Sequence, residues 1–101
     1  MPGSPGVAVG PVRIIRDPAE FSTLQRGDVL VAPYTNPAWT PMFQLAAAVV
    51  VDTGGSAAHA AIVAREYGIP AVMGTGDATT VLTDRHTVRV DGDRGIVLPA
   101  D

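Results

Sequence analysis

Glycine and proline interrupt this chain so often that it must fold from many short pieces. Eleven glycines and nine prolines fall among 101 residues, and proline breaks helices while glycine weakens both helix and strand. A helical bundle is thereby excluded, and tight turns between short elements are required. Val7, Val9, Val12, Ile14 and Ile15 surround Gly10-Pro11 and predict an opening strand with an interruption. Asp17-Pro18-Ala19-Glu20 opens a turn or short helix that buries Phe21 and Leu24. Val29-Leu30-Val31-Ala32 and Val49-Val50-Val51 are wholly apolar, the pattern of strands covered on both faces. Between them, Pro33 to Pro41 predicts a loop of fixed path, and Met42 to Ala48 a short helix.

Asp52-Thr53-Gly54-Gly55 ends the second apolar strand, and Ser56 suits the N-cap of a helix from Ala57 to Tyr67 that Gly68 stops. Ala60, Ile62, Val63 and Tyr67 supply its packing face, with Arg65 and Glu66 solvated. Strands follow at Pro70 to Met73, His86 to Val90 and Ile96 to Leu98, with a single helical turn over Ala78 to Leu82. The expected fold is α/β, with about six short strands and one principal helix after the Gly-Gly turn, in a single domain over residues 1–101.

Composition removes whole classes of function. Net charge is −3, with seven basic and ten acidic residues, which argues against a nucleic-acid or anionic-membrane partner. At 47% hydrophobic and 17% charged the chain has the apolar content to fold. It has no cysteine, so disulfides, thiolate zinc sites and cysteine nucleophiles are absent. All of its basic residues are arginine; without lysine there is no phosphate-loop amine, Schiff base or serine–lysine dyad. The stretch Met1 to Gly6 has neither the basic region nor the apolar core of a signal peptide, and no apolar run approaches the ~20 residues of a membrane helix. A soluble, cytoplasmic protein is expected.

The residues that carry chemistry lie together in Thr53-Gly54-Gly55-Ser56-Ala57-Ala58-His59. A buried strand ends, two glycines turn the chain, and a helix starts with a histidine in its first turn. Unpaired N–H groups and the dipole at a helix start favour an anion, and glycine lets the backbone approach it closely. A neutral imidazole is a competent nucleophile, and a phosphoryl group on its nitrogen would meet those N–H groups. Small neighbours leave the ring open, so His59 is expected to be exposed. Gly54, Gly55 and Ser56 are the candidate phosphate-binding residues, and Arg65 a further source of positive charge. A plain helix cap explains His59 as well, and that alternative stays open on the residues alone. His86, on an alternating strand, reads as a surface residue; Trp39 among prolines, as an aromatic pinning a loop. The two histidines have no acidic residues spaced around them to complete a metal site.

The segment from Thr53 through Glu66, continuing through Gly68-Ile69-Pro70-Ala71-Val72, closely resembles the phosphohistidine signature of the mobile domain of PEP-utilising enzymes. Members of that family include phosphoenolpyruvate synthase, pyruvate phosphate dikinase and rifampin phosphotransferase. Three further blocks fit in order: Ser4-Pro5-Gly6 with Gly10-Pro11-Val12, Leu30 to Pro37 followed by Trp39, and Val90-Asp91-Gly92 with Gly95. The resemblance implies a swivelling β/β/α domain in which His59 is phosphorylated. It implies a phosphocarrier between a nucleotide-binding (ATP-grasp-like) or PEP-binding partner and an acceptor site. ATP or PEP, with Mg, would then be bound by partner domains and none by this one, which would not turn over alone. The family often places hydroxyl or thiol side chains just before the histidine, where this chain has Ala57 and Ala58. A swivelling module used only for interaction, with His59 unphosphorylated, is the alternative function.

Overall fold

The structure is a computed structural model that describes residues 2–53 and 58–100. Among these, seven strands form one mixed sheet: β1 (Pro2–Ser4), β2 (Val7–Ile14), β3 (Val29–Ala32), β4 (Ala48–Val51), β5 (Ala71–Val72), β6 (Thr87–Asp91) and β7 (Ile96–Pro99). The strand beyond the expected six is β1, which pairs antiparallel with β5 through Pro2 and Ser4. The spatial order is β1-β5-β4-β3-β2-β6-β7. The inner strands β5, β4, β3 and β2 run parallel, while β6 and β7 add an antiparallel hairpin beside β2. Helices are α1 (Thr40–Phe43), α2 (Ala58–Tyr67) and α3 (Ala78–Val81), with 3-10 turns at Pro18–Thr23 and Pro37–Trp39.

Alternation of side chains along a strand explains why β3 and β4 are apolar throughout. Leu30, Ala32, Val49 and Val51 point to one core, which they share with Trp39, Phe43 and the α2 residues Ala60, Val63 and Ala64. Val29, Val31, Ala48 and Val50 point to the opposite core, closed by Val88 and Val90 of β6 and Ala78 of α3. The sheet curls so that β6 lies over β4 and β5. The result is three layers, strand on strand on helix, as the α/β expectation required.

Three local expectations change. Gly10-Pro11 does not interrupt β2; the strand runs through it and exchanges partners there. Val7 to Pro11 pair antiparallel with β6, and Val12 to Ile14 pair parallel with β3. Gly10 is needed because a Cβ there would fall on the carbonyl oxygen of Gly27. The helix expected over Met42 to Ala48 is instead the four-residue α1. Its continuation is blocked because the Leu45 carbonyl accepts from Gly27 N–H (2.9 Å) and Ala47 N–H donates to Asp28 (2.8 Å). On α2 the packing residues are Ala60, Val63 and Ala64, whereas Ile62 is 53% and Tyr67 39% exposed. At about 100° per residue Ile62 falls on the outer side of a helix whose inner face centres on Ala60 and Ala64. Gly68, with φ of 71°, ends α2 as expected.

Candidate functional site

The loops after β3 and β4 leave the same edge of the sheet, because these strands are parallel neighbours. Crevices at the carboxyl ends of parallel strands are where such folds build their sites. The β4 loop leads to His59, the second residue of α2. The β3 loop is shaped by Asn36, whose side chain accepts from Ala38 N–H (3.0 Å) and caps the turn Pro37–Trp39. Trp39 then inserts fully into the core, edge-on to Phe21 at a centroid distance of 5.0 Å. That anchor accounts for the pinning read from the prolines.

A capped turn and a buried tryptophan carry Thr35 and Thr40 to opposite sides of the His59 ring. Thr35 Oγ1 lies 3.1 Å from Nδ1, and Thr40 Oγ1 lies 3.4 Å from Nε2. The Phe43 ring stands edge-on to the imidazole at 6.0 Å. Hydroxyls both donate and accept, so the ring is held in place whichever nitrogen bears its proton. The expectation of a freely exposed histidine is therefore corrected. His59 is half-buried, with both nitrogens engaged, because a neighbouring loop closes over the ring.

The two sides of the ring differ. Thr35 is only 6% exposed, and its contact is the shorter one. Thr40 is half-buried and sits at the start of α1. Neither threonine stood out in the sequence as a partner of His59. The only sequence signal was their position flanking Asn36-Pro37-Ala38-Trp39, and it has meaning only once β3 and β4 are known to be neighbours.

The remaining candidates divide. Gly54, Gly55 and Ser56, with Ala57, lie outside the described residues. Arg65 is exposed in the last turn of α2. Six residues beyond His59, it is displaced by about 9 Å along the helix and about 240° around it. It is not gathered with the ring. His86 is also exposed, at the foot of β6, away from this loop cluster. Sequence reasoning overlooked Asp52, which holds the approach to the histidine loop. Its carboxylate accepts from the Thr79 hydroxyl (2.6 Å), Thr79 N–H (3.2 Å) and the Thr75 hydroxyl (3.2 Å). Among the described residues no group of three or more acidic or histidine side chains could hold a metal ion, and no helix is long and apolar enough to cross a membrane.

The profile of the PEP-utilising enzyme mobile domain matches residues 24–95. This chain belongs to that family. Mobile-domain relatives include the uncharacterized phosphotransferase YvkC of Bacillus subtilis, 58% identical over 92 residues, covering 91% of this chain and 11% of the relative. Phosphoenolpyruvate synthase of Aeropyrum pernix is 54% identical over 98 residues, covering 96% of this chain and 12% of the relative. A solution structure of Enzyme I superposes with a TM-score of 0.69 at 34% identity, over 78% of this chain and 33% of that one. The chain therefore spans 11% to 12% of the length of these curated relatives. In these relatives the matching segment is a small part of a longer protein.

Proposed function

We propose that this mobile domain is a phosphocarrier, taking a phosphoryl group on His59 at one active site and surrendering it at another. The observation that carries the reading is the ring's fixation between Thr35 and Thr40 at the carboxyl ends of β3 and β4, at the start of a ten-residue helix. Phosphoryl transfer depends mainly on positioning and charge stabilisation. A ring held firmly at Nδ1 and more loosely at Nε2 is positioned, and the N-terminus of α2 offers N–H groups and a dipole to a phosphoryl group nearby. Gly54, Gly55 and Ser56 are the sequence's candidates to complete that cradle. Nδ1 is committed to the buried Thr35, so Nε2, under the half-buried Thr40, is the nitrogen a donor can reach.

In the transfer, the Nε2 lone pair attacks phosphorus and the N–P bond forms. The donor's P–O bond breaks, its electron pair departing on the donor oxygen, and the ring proton stays on Nδ1 facing Thr35. The donor is an enol phosphate (PEP) or a nucleotide anhydride (ATP), held with Mg on an ATP-grasp-like or PEP-binding partner domain, because this domain has no lysine and its described residues hold no metal-binding cluster. Unloading reverses the step toward an acceptor bound elsewhere in the enzyme. The second reading, an interaction module in which His59 only packs, draws on the same two threonine contacts.

Labelling separates the two. With a competent loading partner and labelled PEP or ATP, one phosphoryl group per chain should be taken up, labile in acid and stable in base. His59→Ala should abolish uptake with the fold intact, since alanine is an excellent helix former, and His86→Ala should leave uptake unchanged. Label that persists in His59→Ala, or that survives acid, overturns the carrier reading.

A further inference from the structure

We propose that Thr40 supplies the hydroxyl that governs Nε2 of His59, covering its lone pair when the domain is empty and donating to a phosphoryl oxygen when it is loaded. The proposal rests on the phosphocarrier reading and adds a role to a residue outside the histidine's own loop. Ala57 and Ala58, immediately before His59, have no hydroxyl to offer. Among the described residues, the hydroxyls that contact the ring come from the loop after β3.

The geometry assigns them different tasks. Thr35 is buried and its Oγ1 lies 3.1 Å from Nδ1, a firm orienting bond. Thr40 Oγ1 lies 3.4 Å from Nε2, beyond the usual length of a strong hydroxyl hydrogen bond, so little is lost when it turns away. Its backbone is fixed: Thr40 N–H donates to the Pro37 carbonyl, and φ and ψ of −51° and −42° set it at the head of α1. Pro41 follows directly. Only the side-chain torsion remains to move, and rotating it uncovers Nε2 without disturbing the loop.

When Nε2 attacks, the N–P bond forms and the donor P–O bond breaks with its electrons on the donor oxygen. The three phosphoryl oxygens then lie just beyond Nε2, on the side of the ring that Thr40 occupies. A hydroxyl donating to a charged oxygen bonds more strongly than one donating to a neutral nitrogen. Thr40 thus favours the loaded form. In the loose, metaphosphate-like transition state of phosphoryl loss the N–P bond is largely broken and the phosphoryl group has moved from the ring. A donor placed for the bonded geometry holds the phosphoryl oxygens best there, and so also slows spontaneous hydrolysis.

The test loads the whole chain with potassium phosphoramidate, a small phosphoryl donor that needs no partner domain. Long-range proton–nitrogen NMR of the empty protein should show the Nε2 resonance of His59 moved in Thr40→Val and Nδ1 unmoved. After loading in a His86→Ala background, the neutral-pH lifetime of the phosphohistidine at His59 should shorten at least fivefold in Thr40→Val and stay within twofold of the Thr40 chain in Thr40→Ser. Rescue by serine excludes a merely structural effect. Should the valine variant fail to fold, Thr40→Ala is read in the same way. Unshifted Nε2, or a lifetime within twofold of the Thr40 chain in the hydroxyl-free variant, overturns the role of Thr40 alone. A wild-type chain that takes no phosphoryl group on His59 overturns the carrier reading beneath it.

Discussion

At the scale of single residues, the site depends on what Thr35 and Thr40 can do that apolar side chains cannot. Thr35 is buried against Nδ1, and valine has nearly its shape without the hydroxyl. A net hydrogen bond is worth about 1 kcal/mol, which converts to roughly fivefold in rate or equilibrium. Thr35→Val should therefore slow phosphoryl uptake by roughly fivefold and lower stability by about 1 kcal/mol. Uptake kinetics with a fixed loading partner, alongside urea titration, measure both. Unchanged uptake would mean that the Nδ1 contact does not orient the nucleophile. Ile62 teaches a different residue-scale lesson. It is one helical turn beyond His59 and 53% exposed, so its apolar character says nothing about the core.

Among elements, the site is a meeting of three loops at one edge of the sheet. Pairing continues past the strand ends: Asp52 N–H donates to the Ala32 carbonyl (3.0 Å) and Thr53 N–H to that of Pro33 (3.1 Å). On the other side, Gly74 N–H donates to the Thr53 carbonyl (3.1 Å). The β4 end is thus clamped between the loop carrying Thr35 and the segment leading to α3. Asp52 locks the second half of that clamp through Thr75 and Thr79. Thr79 in turn is only 7% exposed, so its donors have little water to turn to. Leaving a buried donor unsatisfied costs about 1–3 kcal/mol. Asp52→Ala should lower the stability read from a urea midpoint by about that amount. A loss within 0.5 kcal/mol, the usual range for a surface substitution, would show the clamp to be incidental.

For the molecule as a whole, β3 and β4 belong to both cores at once. Every second residue faces the α2 side and the others face β6 and α3. Neither core can come apart while the other keeps its strands, so unfolding should be a single cooperative transition, as in most small domains. Trp39 reports on the helix-side core as the chain's one tryptophan, and far-ultraviolet dichroism reports on the sheet. Their urea curves should coincide. A separation of the two midpoints would mean that the β6–β7 hairpin melts on its own. On the carrier reading proposed above, a cooperative scaffold would keep His59 placed by the loops of two adjacent strands.

The sequence was most informative where local physics decides the outcome. Gly and Pro spacing excluded long elements, and the unbroken apolar runs of β3 and β4 required cover on both faces. Gly68 placed the end of α2, and Thr53 to His59 with its flanking blocks pointed to the family. What escaped were features set by groups remote in the chain. Gly10-Pro11 looked like a break, because nothing local shows that β2 changes partners there. The helix after Pro41 looked longer, because its competitors, Gly27 N–H and the Asp28 carbonyl, lie in another loop. His59 looked open, because Thr35 and Thr40 reach it only once β3 and β4 lie side by side. A hydrogen bond between such partners depends on the sheet's strand order, and strand order is a property of the packed molecule.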